Sequence, residues 1–408
     1  MISNETILAL ATPAGVGAIA VIRLSGTDSI AFVSRFFKSV SGKALEDQKT
    51  HTLHLGHILN GNKVIDQVLV SIFKNPHSYT GENVVEISCH GSSYIQQEII
   101  QLFLQNGGRM ADNGEFTMRA FLNGKMDLSQ AEAVADLIAS SSETSHQVAI
   151  QQMRGGITNE LQELRGQLLD FAALIELELD FSGEDVEFAD RTKFKQLVAT
   201  ISSVLKRLID SFAFGNAMKN GIPITIIGEP NVGKSTLLNT LLNEEKAIVS
   251  EIAGTTRDAI EDELIIDGVV FRFIDTAGIR ETEDIVENIG IQKTYEKAEN
   301  AQLIIFLIDS QKFTNSKESF LSEIENIKER FPNKRLLVIA NKIDTLNKEE
   351  TEDLSSSVKN ILLLSAKQKI GIDGLLSEFT SLVNKGALSN NEIIVTNSRH
   401  FEALNNAL

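Results

Sequence analysis

Residues 228–235 read Gly228-Glu229-Pro230-Asn231-Val232-Gly233-Lys234-Ser235 and match the pattern G-x-x-x-x-G-K-[ST] at every constrained position. This loop follows an apolar, β-branched run at 222–227, which is typical of a buried strand, and it precedes a helical pattern at 236–242. The two glycines let backbone N–H groups approach phosphate oxygens, and the following helix N-terminus favours negative charge. The sequence therefore predicts a nucleoside-triphosphate site in which Lys234 contacts the β- and γ-phosphates and Ser235 binds Mg²⁺.

Length and composition indicate a soluble chain of several domains. With 408 residues the chain exceeds one ordinary core, so two or three domains are expected. No apolar run reaches the roughly 18 residues of a membrane helix, and residues 1–5 lack the basic start of a signal peptide. We therefore expect a cytoplasmic protein. The single cysteine, Cys89, excludes a disulfide within the chain and a cysteine-rich metal site.

The charge balance disfavours broad binding to nucleic acid. The chain has 38 basic and 55 acidic residues, for a net charge of −17. Affinity for a phosphate backbone comes largely from clustered lysine and arginine, so an RNA partner would need a local basic patch or a second protein.

Two segments after the phosphate loop are candidates for sensing the γ-phosphate. Residues 254–258 contain Thr256, whose hydroxyl can complete a Mg²⁺ shell while the triphosphate is present. Residues 275–278 read D-x-x-G and follow an apolar strand pattern at 269–274. Their carboxylate can lie near Mg²⁺, and their glycine N–H can reach the γ-phosphate.

Two later loops are candidates for recognising guanine. An apolar strand pattern leads into the N-K-x-D sequence at 341–344, where Asp344 suits the N1–H and 2-amino donors of guanine. Adenine lacks that donor pair, and such a mismatch can cost roughly 10⁴-fold in discrimination. Another strand pattern, at 361–364, leads into residues 365–367, whose backbone can contact guanine O6. Five elements in this order at strand ends predict an α/β GTP-binding domain at residues 216–384.

Several motifs, in and beyond the phosphate loop, carry a family resemblance. They are residues 252–258 (IAGTTRD), 275–280 (DTAGIR), 79–86 (YTGENVVE) and 114–125 (GEFTMRAFLNGK), the last continuing into 127–133. With these motifs the chain resembles the tRNA-modification GTPase MnmE (TrmE) family over essentially its whole length. The resemblance implies a multidomain protein with an α+β N-terminal folate-binding-like domain, an α-helical bundle domain and an inserted α/β P-loop GTPase domain of the Ras-like type.

The resemblance also implies how GTP hydrolysis is activated. Ile279 follows the D-x-x-G sequence, where many GTPases place a glutamine that orients the attacking water, so another group must position the water. The family's glutamate for this task matches Glu287. A K⁺ ion would act in place of an arginine finger, which is worth roughly 10³ to 10⁵ in rate where an arginine supplies the charge. Its ligands would be Asn231, with carbonyl oxygens of Ser250, Ile252 and Thr255.

The predicted site residues of the GTPase domain form sets that overlap. Glu287, Lys234 and Thr256 are predicted to be catalytic, and Ser235 and Thr256 to hold Mg²⁺. The residues predicted to contact GTP are Asn231, Val232, Gly233, Lys234, Ser235, Thr236, Ser250, Glu251, Ile252, Ala253, Gly254, Thr255, Thr256, Asp275, Thr276, Ala277, Gly278, Asn341, Lys342, Ile343, Asp344, Ser365, Ala366 and Lys367.

Residues 1–118 are predicted to form the α+β domain. Strand patterns at 7–11 and 18–24, a hairpin turn at Asn60-Gly61 and a helical pattern at 92–105 indicate this class. The resemblance implies that the domain forms a homodimer and binds a tetrahydrofolate derivative, in the 5-formyl or 5,10-methylene form.

The positions that match the family's folate site are Arg23, Glu86 and Lys125. The cations suit the glutamyl carboxylates of folate, and the carboxylate suits N–H donors of the pterin ring. Without the resemblance, each is better interpreted as a surface ion-pair residue. Cys89 and His90 are adjacent, but we interpret them as a packed thiol and a partly exposed imidazole, not as a nucleophile pair.

The remaining residues predict a helical domain interrupted by the GTPase domain. Two apolar series repeat at three- and four-residue steps and predict core stripes: Ala131, Val134, Leu137 and Ile138, then Leu161, Leu164, Leu168, Phe171 and Ile175. The helical pattern at 398–408 predicts a return to the same bundle, so the domain is assigned to 119–215 plus 385–408. The resembled family continues to a C-terminal Cys-x-Gly-Lys tail, whereas this chain stops at Leu408. We therefore assign no modification cysteine and expect the helical domain to be incomplete.

These features lead to one functional hypothesis and one main alternative. The resemblance implies a K⁺-activated GTPase, converting GTP and water to GDP and phosphate. With an MnmG-type, FAD-dependent partner in a heterotetramer, it would form a 5-carboxymethylaminomethyl group on the wobble uridine of tRNAs, contacting tRNA through the complex. The alternative is an RNA-binding GTPase switch in ribosome assembly, which should carry a basic RNA-binding appendage.

Overall fold

The computed structural model of the protein describes residues 5–180, 190–243, 262–274, 298–384 and 394–408. The chain divides into two compact units, residues 1–135 and 136–408. Among the helices in these ranges, none has the length and apolar character needed to cross a membrane.

The first unit combines one sheet with short helices, as the predicted α+β class requires. Its strands are β1 (Ile7–Leu10), β2 (Ile19–Ser25), β3 (Phe37–Ser39), β4 (Thr52–Asn60), β5 (Lys63–Phe73), β6 (Val84–His90) and β7 (Arg109–Met110). Its helices are α1 (Ser29–Ser34), α2 (Ser93–Gln105) and α3 (Glu115–Leu122), and α4 (Leu128–Ala139) begins in this unit.

The sheet of the first unit has the strand order β3-β4-β5-β6-β2-β1-β7. The pairs are antiparallel except β1 with β7. The predicted hairpin is confirmed, because β4 and β5 pair across a turn in which Gly61 has φ +59°. Val68, Val70 and Ile72 alternate with more exposed residues along β5 and share a core with residues of α2, so one face of the sheet is buried.

A buried ionic cluster fixes α3 in the first unit. The Arg119 side chain is 2% exposed and contacts Glu82 and Glu115 at 3.0 Å each. Burial alone would raise the pKa of the Glu115 carboxyl. Hydrogen bonds from Arg109, from the backbone N–H of Asp112 and from Arg119 outweigh that effect and lower the pKa to about 2. The cluster therefore stabilises the folded unit while Glu115 is ionised.

The second unit contains a helical part and a parallel sheet. The helices of the helical part are α5 (Glu143–Met153), α6 (Gly156–Asp180), α7 (Arg191–Asn220) and α13 (Ser398–Ala407). The strands are β8 (Ile222–Ile227), β9 (Asp262–Ile266), β10 (Val269–Phe273), β11 (Leu303–Asp309), β12 (Arg335–Asn341) and β13 (Leu362–Leu363). The helices around the sheet are α8 (Lys234–Leu242), α9 (Ser310–Asn315), α10 (Lys317–Arg330), α11 (Lys348–Ser357) and α12 (Ile372–Asn384).

The helical part confirms the predicted return of the chain to the bundle. Helix α13 packs against α7, where the Phe212 and Phe401 rings stack with centroids 4.4 Å apart. The predicted core stripe on α4 is wrong at Ile138, which is 81% exposed. The predicted stripe on α6 is correct at Leu164 and Phe171, which are buried, and wrong at Leu168, which is 39% exposed. Leu168 lines an open cavity together with Phe171 of α6 and Phe194 of α7, so α7 covers it only in part. The domain boundaries at residues 118, 215 and 384 stay predictions.

The sheet of the second unit has the order β13-β12-β11-β8-β10-β9, and its pairs are parallel except β9 with β10. All seven residues of β11 are buried. Helices α8 and α12 contribute to the core on one face, and α9 and α10 to the core on the other. A strand covered on both faces has no polar side to alternate with, which explains the continuous apolar sequence of β11.

The turn between β9 and β10 contacts the start of α5. The Thr144 N–H donates to the carbonyl of Gly268 at 3.3 Å. One turn further along α5, Val148 is 4% exposed and belongs to the same core as Phe271 of β10. The turn carbonyl thus satisfies one of the unpaired N–H groups at a helix N-terminus, and apolar packing supports the contact.

We predict that Glu115→Gln removes an acid-sensitive part of the stability. The folded-state pKa of Glu115 lies below the ordinary 4.5, so its contribution is complete above about pH 5 and is lost as the pH falls towards 2. At pH 7 the variant should lose on the order of 2 to 3 kcal/mol in the free energy of unfolding. Urea unfolding followed by circular dichroism between pH 7 and pH 3 measures both quantities.

The matched control is Glu98→Gln, since Glu98 pairs with Lys63 at the surface. The difference between Glu115→Gln and the original protein should shrink as the pH falls, whereas the control should follow the original protein throughout. A pH-independent difference would contradict the ionic role of Glu115.

Candidate nucleotide-binding site

The carboxyl ends of four parallel strands converge at one edge of the second sheet. Residues 228–235 follow β8, Asp309 ends β11, Asn341 ends β12 and leads into residues 342–344, and residues 365–367 follow β13. Ligands of open α/β sheets bind at this edge. The structure therefore brings together the predicted phosphate and guanine loops, which are separated by more than 100 residues in the chain.

Both constrained glycines of the phosphate loop lie where neighbouring atoms leave no room for a side chain. Gly228 has φ +152°, and a Cβ there would lie 2.2 Å from the carbonyl oxygen of Leu307. Gly233 has φ +100°, and a Cβ there would lie 2.3 Å from Nδ2 of Asn341. Any side chain at either position would displace a neighbouring strand or loop, so the loop keeps its close fit to β11 and β12 only with glycine.

Lys234 lies against its own loop at the start of α8. Its Nζ donates to the carbonyls of Gly228 at 2.7 Å and Glu229 at 2.9 Å. Burial lowers the pKa of the Lys234 ammonium, and the Glu229 carboxylate opposes that shift. A phosphate anion beside this ammonium would favour its charged form, so the site gains from binding an anion here.

Asn341 joins the phosphate loop to the loop after β13. Its side chain is buried, its Nδ2 donates to the carbonyl of Val232 at 2.8 Å, and its Oδ1 accepts from the Ala366 N–H at 3.0 Å. Ala366 is held from the other side by α8, because its carbonyl accepts from the Thr240 hydroxyl at 3.0 Å. One amide therefore fixes the spacing between the predicted phosphate and base sites.

Asp309 and Lys342 form a second link to the phosphate loop. Lys342 Nζ lies 2.7 Å from Oδ2 of Asp309 and donates to the carbonyl of Asn231 at 2.9 Å. Our sequence analysis missed Asp309. The sequence did contain one indication of its role: an acidic residue directly follows a wholly apolar strand pattern. Such strands end at the sheet edge where ligands bind.

Asp344 is exposed at the mouth of the site. Its Oδ2 accepts from Nε2 of Gln368 at 3.3 Å, and the Gln368 N–H donates to the Ser365 hydroxyl at 3.3 Å. The carboxylate is thus held near the loop after β13 and remains accessible to N–H donors, as recognition of guanine requires.

Part of the predicted GTP site lies outside the described residues. This holds for Ile279 and for the following predicted site residues: Ser250, Glu251, Ile252, Ala253, Gly254, Thr255, Thr256, Asp275, Thr276, Ala277, Gly278 and Glu287. Of the predicted ligands for cations, Asn231 and Ser235 are described. Asn231 is exposed on the loop with φ +64°.

The predicted folate positions lie around one loop of the first unit. Arg23 Nη2 is 2.7 Å from the Glu86 carboxylate, and both side chains are partly exposed. The Arg23 guanidinium also lies over the Tyr79 ring, 5.4 Å from its centroid. Lys125 Nζ donates to the carbonyl of Pro76 at 3.0 Å, in the same loop that carries Tyr79. Arg23 and Glu86 pair with each other, which agrees with the interpretation of each, from the residues alone, as a surface ion-pair residue.

Cys89 and His90 do not form a nucleophile pair. Cys89 is 3% exposed, and burial, followed by the charge of Asp66, raises the pKa of its thiol to about 11. His90 is largely exposed on the other face of β6, and its Nδ1 lies 2.8 Å from Oδ1 of Asp66. The interpretation as a packed thiol beside a partly exposed imidazole is confirmed, since 68% of the His90 side chain is exposed. Among the described residues, no group of three or more acidic, histidine or cysteine side chains is suited to hold a metal.

Comparisons with known proteins cover the whole chain. Residues 6–125 match the family model described as the GTP-binding protein TrmE N-terminus, and residues 128–408 match the MnmE helical domain. The tRNA modification GTPase MnmE of Flavobacterium johnsoniae is 63% identical over 100% of this chain and 88% of that protein. The proteins of the same name from Flavobacterium psychrophilum and Bacteroides thetaiotaomicron are 64% and 53% identical, with the same coverage.

Solved structures of GTPase domains match a smaller part of the chain. The FeoB G-domain from Methanococcus jannaschii is 24% identical and covers 40% of this chain and 98% of that chain, with a TM-score of 0.27. A probable GTP-binding protein engB is 18% identical and covers 40% of this chain and 99% of that chain, with a TM-score of 0.29. The assignment comes from the family models and from the identity to full-length relatives: this chain belongs to the MnmE family of tRNA modification GTPases.

Proposed function

We propose that this protein hydrolyses GTP and uses the reaction to support modification of tRNA wobble uridine. The modification would be a C5 5-carboxymethylaminomethyl group, formed with a flavoprotein partner of the MnmG type. The observation that carries the proposal is the Asn341 amide, which joins a phosphate loop to a guanine-type loop in a member of this family. GTP hydrolysis would drive conformational change, and the carbon chemistry would use a folate one-carbon unit.

The GTP site divides into recognition and charge neutralisation. Asp344, accessible at the mouth, would accept from the N1–H and 2-amino groups of guanine. Backbone N–H groups of the phosphate loop and the Lys234 ammonium would hold the phosphates. Ser235 and Thr256 offer hydroxyl oxygens that suit Mg²⁺, which supplies positive charge to the phosphates when bound.

The proposed K⁺ site uses four oxygen ligands, one of which belongs to the phosphate loop. Asn231 is exposed there and offers an amide oxygen, which suits a hard monovalent cation. The carbonyls of Ser250, Ile252 and Thr255 would complete the set. Bound K⁺ would place positive charge near the transferring phosphoryl group, and Glu287 would orient the attacking water because Ile279 has no polar group for that task.

The proposed folate site lies in the first unit. Arg23 and Lys125 would hold the glutamyl carboxylates, and Glu86 would accept from pterin N–H groups. The Tyr79 ring, which packs against the Arg23 guanidinium, offers a flat apolar surface suited to a heterocycle. Folate supplies the one-carbon unit when bound. We further propose that the protein forms a homodimer and that tRNA is bound by the complex with the flavoprotein.

The experiment that tests the tRNA function is mass spectrometry of tRNA nucleosides from cells that lack the gene. Loss of the 5-carboxymethylaminomethyl nucleosides, restored by the gene on a plasmid, is expected. An unchanged nucleoside profile together with a ribosome-assembly defect would favour the alternative, a GTPase switch that acts on ribosomal RNA.

We predict that Glu287→Ala abolishes GTP turnover but leaves GTP binding nearly unchanged. A group that positions the attacking water acts in the transition state, so its loss should lower kcat by roughly 10² to 10⁴. Steady-state phosphate release and equilibrium binding of a fluorescent GTP analogue measure the two effects. Glu283→Ala in the same acidic stretch is the matched control, and equal turnover by Glu287→Ala and the control would reject the assignment.

We predict that turnover falls steeply when K⁺ is replaced by Na⁺ at constant ionic strength. The loss should reach roughly 10³-fold if the cation supplies the charge that an arginine finger supplies elsewhere. Asn231→Ala should be slow in both salts, whereas Asn239→Ala, an exposed change on α8, should keep the K⁺ response. Equal rates of the original protein in K⁺ and Na⁺ would remove the cation from the mechanism.

A further inference from the structure

Asp309 is a buried carboxylate at the nucleotide edge of the sheet, and the function proposed above gives it no task. It is the last residue of β11, and its side chain is 10% exposed. Its two oxygens have separate partners: Oδ1 accepts from the Gln311 N–H at the start of α9, and Oδ2 lies 2.7 Å from Lys342 Nζ. The first contact caps a helix, whereas the second holds the Lys342 ammonium.

The Lys342 ammonium connects Asp309 to the phosphate loop. It lies between the Asp309 carboxylate and the carbonyl of Asn231, at 2.7 Å and 2.9 Å. Lys342 itself has φ +67°, in the left-handed region that disfavours a side chain of its size. The surrounding contacts must therefore offset a local conformational cost, and the ion pair with Asp309 is the strongest contact of this side chain in the described part of the chain.

The orientation of the Asn231 carbonyl matters because it sets the direction of the Val232 N–H in the same peptide. In a planar trans peptide the carbonyl and the next N–H point in opposite directions. Because Lys342 holds the Asn231 carbonyl, the Val232 N–H of the same peptide points away from Lys342. Asn341 acts in the same way on the Val232 carbonyl and hence on the Gly233 N–H. Backbone N–H groups of such a loop are the ones that can meet phosphate oxygens.

We propose that Asp309 is a positioning residue for the nucleotide phosphates, acting through Lys342. The carboxylate holds the ammonium in place, the ammonium holds the Asn231 carbonyl, and the loop is preorganised to bind phosphate before the ligand arrives. Preorganisation lowers the entropic cost of binding, so the effect falls on affinity. This inference rests on the proposed GTP function, because it assumes that the loop binds guanine nucleotide.

The other charges that face Asp309 act differently. Lys312 on α9 is affected by the field of Asp309, which contributes to its raised pKa after the larger effect of Glu229. However, Lys312 makes its ion pair with Glu229, at 2.7 Å and with both side chains exposed. Solvent screens that pair, so it contributes little to holding the loop. The partly buried pair of Asp309 and Lys342 is the one that can fix a peptide orientation.

The test is a double-mutant cycle on GDP affinity, measured with a fluorescent GDP analogue on the full chain. Asp309→Asn keeps the Oδ1 cap of α9 and removes the charge that holds Lys342, and Lys342→Met keeps the aliphatic stem and removes the ammonium. We expect each single change to weaken GDP binding by roughly tenfold, because a charge-assisted hydrogen bond is lost. If Asp309 acts through Lys342, the double variant should bind GDP within about twofold of Lys342→Met alone.

Two controls separate positioning from a general structural effect. Asp353→Asn makes the same chemical change in an exposed pair with Lys317 of the same sheet domain and should leave GDP affinity unchanged. Asp309→Ser retains a hydroxyl cap for α9 and should repeat the result of Asp309→Asn, including in the cycle, if the latter protein folds poorly. Thermal unfolding confirms that each variant is folded at the temperature of the binding measurement.

Each outcome bears on a different claim. Unchanged GDP affinity in Asp309→Asn and Asp309→Ser, or an additive loss of about a hundredfold in the double variant, would overturn the positioning role of Asp309. Failure of the original protein to prefer GDP over ADP would instead overturn the proposed guanine-nucleotide function. Loss of affinity that disappears in the Lys342→Met background supports the proposal.

Discussion

The buried Asn341 amide is the constraint on which the nucleotide site depends. It makes one hydrogen bond to the phosphate loop and one to the loop after β13, and at 2% exposure it has almost no surface on which to exchange partners with water. Gly233 leaves the space that the amide occupies, since a Cβ there would lie 2.3 Å from Nδ2. A side chain at position 233 would displace the Asn341 amide and leave buried hydrogen-bonding groups unpaired. The glycine and the amide therefore act as one unit, although they are 108 positions apart in the chain.

The same sheet connects the nucleotide edge to the helical part of the second unit. The Gly268 carbonyl, in the turn between β9 and β10, accepts from the N-terminus of α5, and Val148 of that helix lies in the core of the sheet. In sequence, β9 follows the segment that carries Thr256, and β10 precedes the segment that carries Asp275. The hairpin between the two predicted γ-phosphate sensors is therefore anchored to a helix outside the nucleotide site. A ligand that contacted both Thr256 and Asp275 would act on a hairpin whose far end is fixed to α5.

Site residues could be predicted from the sequence where their chemistry depends on neighbours in the chain, and not where it depends on residues that only the fold brings together. The phosphate loop and the N-K-x-D sequence were predicted because their chemistry is confined to a few residues at fixed spacing and follows a recognisable strand. Asp309 was missed because its partner lies 33 positions away, and only the parallel pairing of β11 with β12 brings them together. Leu168 has the periodicity of a core residue but is 39% exposed. The prediction failed there because helical spacing shows which face of a helix is apolar, but not whether another element covers that face. The contact between the β9–β10 turn and α5 could not be predicted for the same reason, because no pattern in the sequence of the turn or of α5 indicates it.

Burial separates the charges that stabilise the fold from those that can change partners. Arg119 is 2% exposed and is surrounded by the Glu82 and Glu115 carboxylates, so replacing a partner by a ligand would first expose a buried charge. The pair of Arg23 and Glu86 lies in the same unit at a similar distance, but its side chains are 30% and 25% exposed. Water already contacts those groups, so replacing one partner by a ligand carboxylate or an N–H donor has a much smaller desolvation cost. Of the two ion pairs, the more exposed one is therefore the better candidate for ligand binding, and it is also the pair that the family resemblance implies for folate.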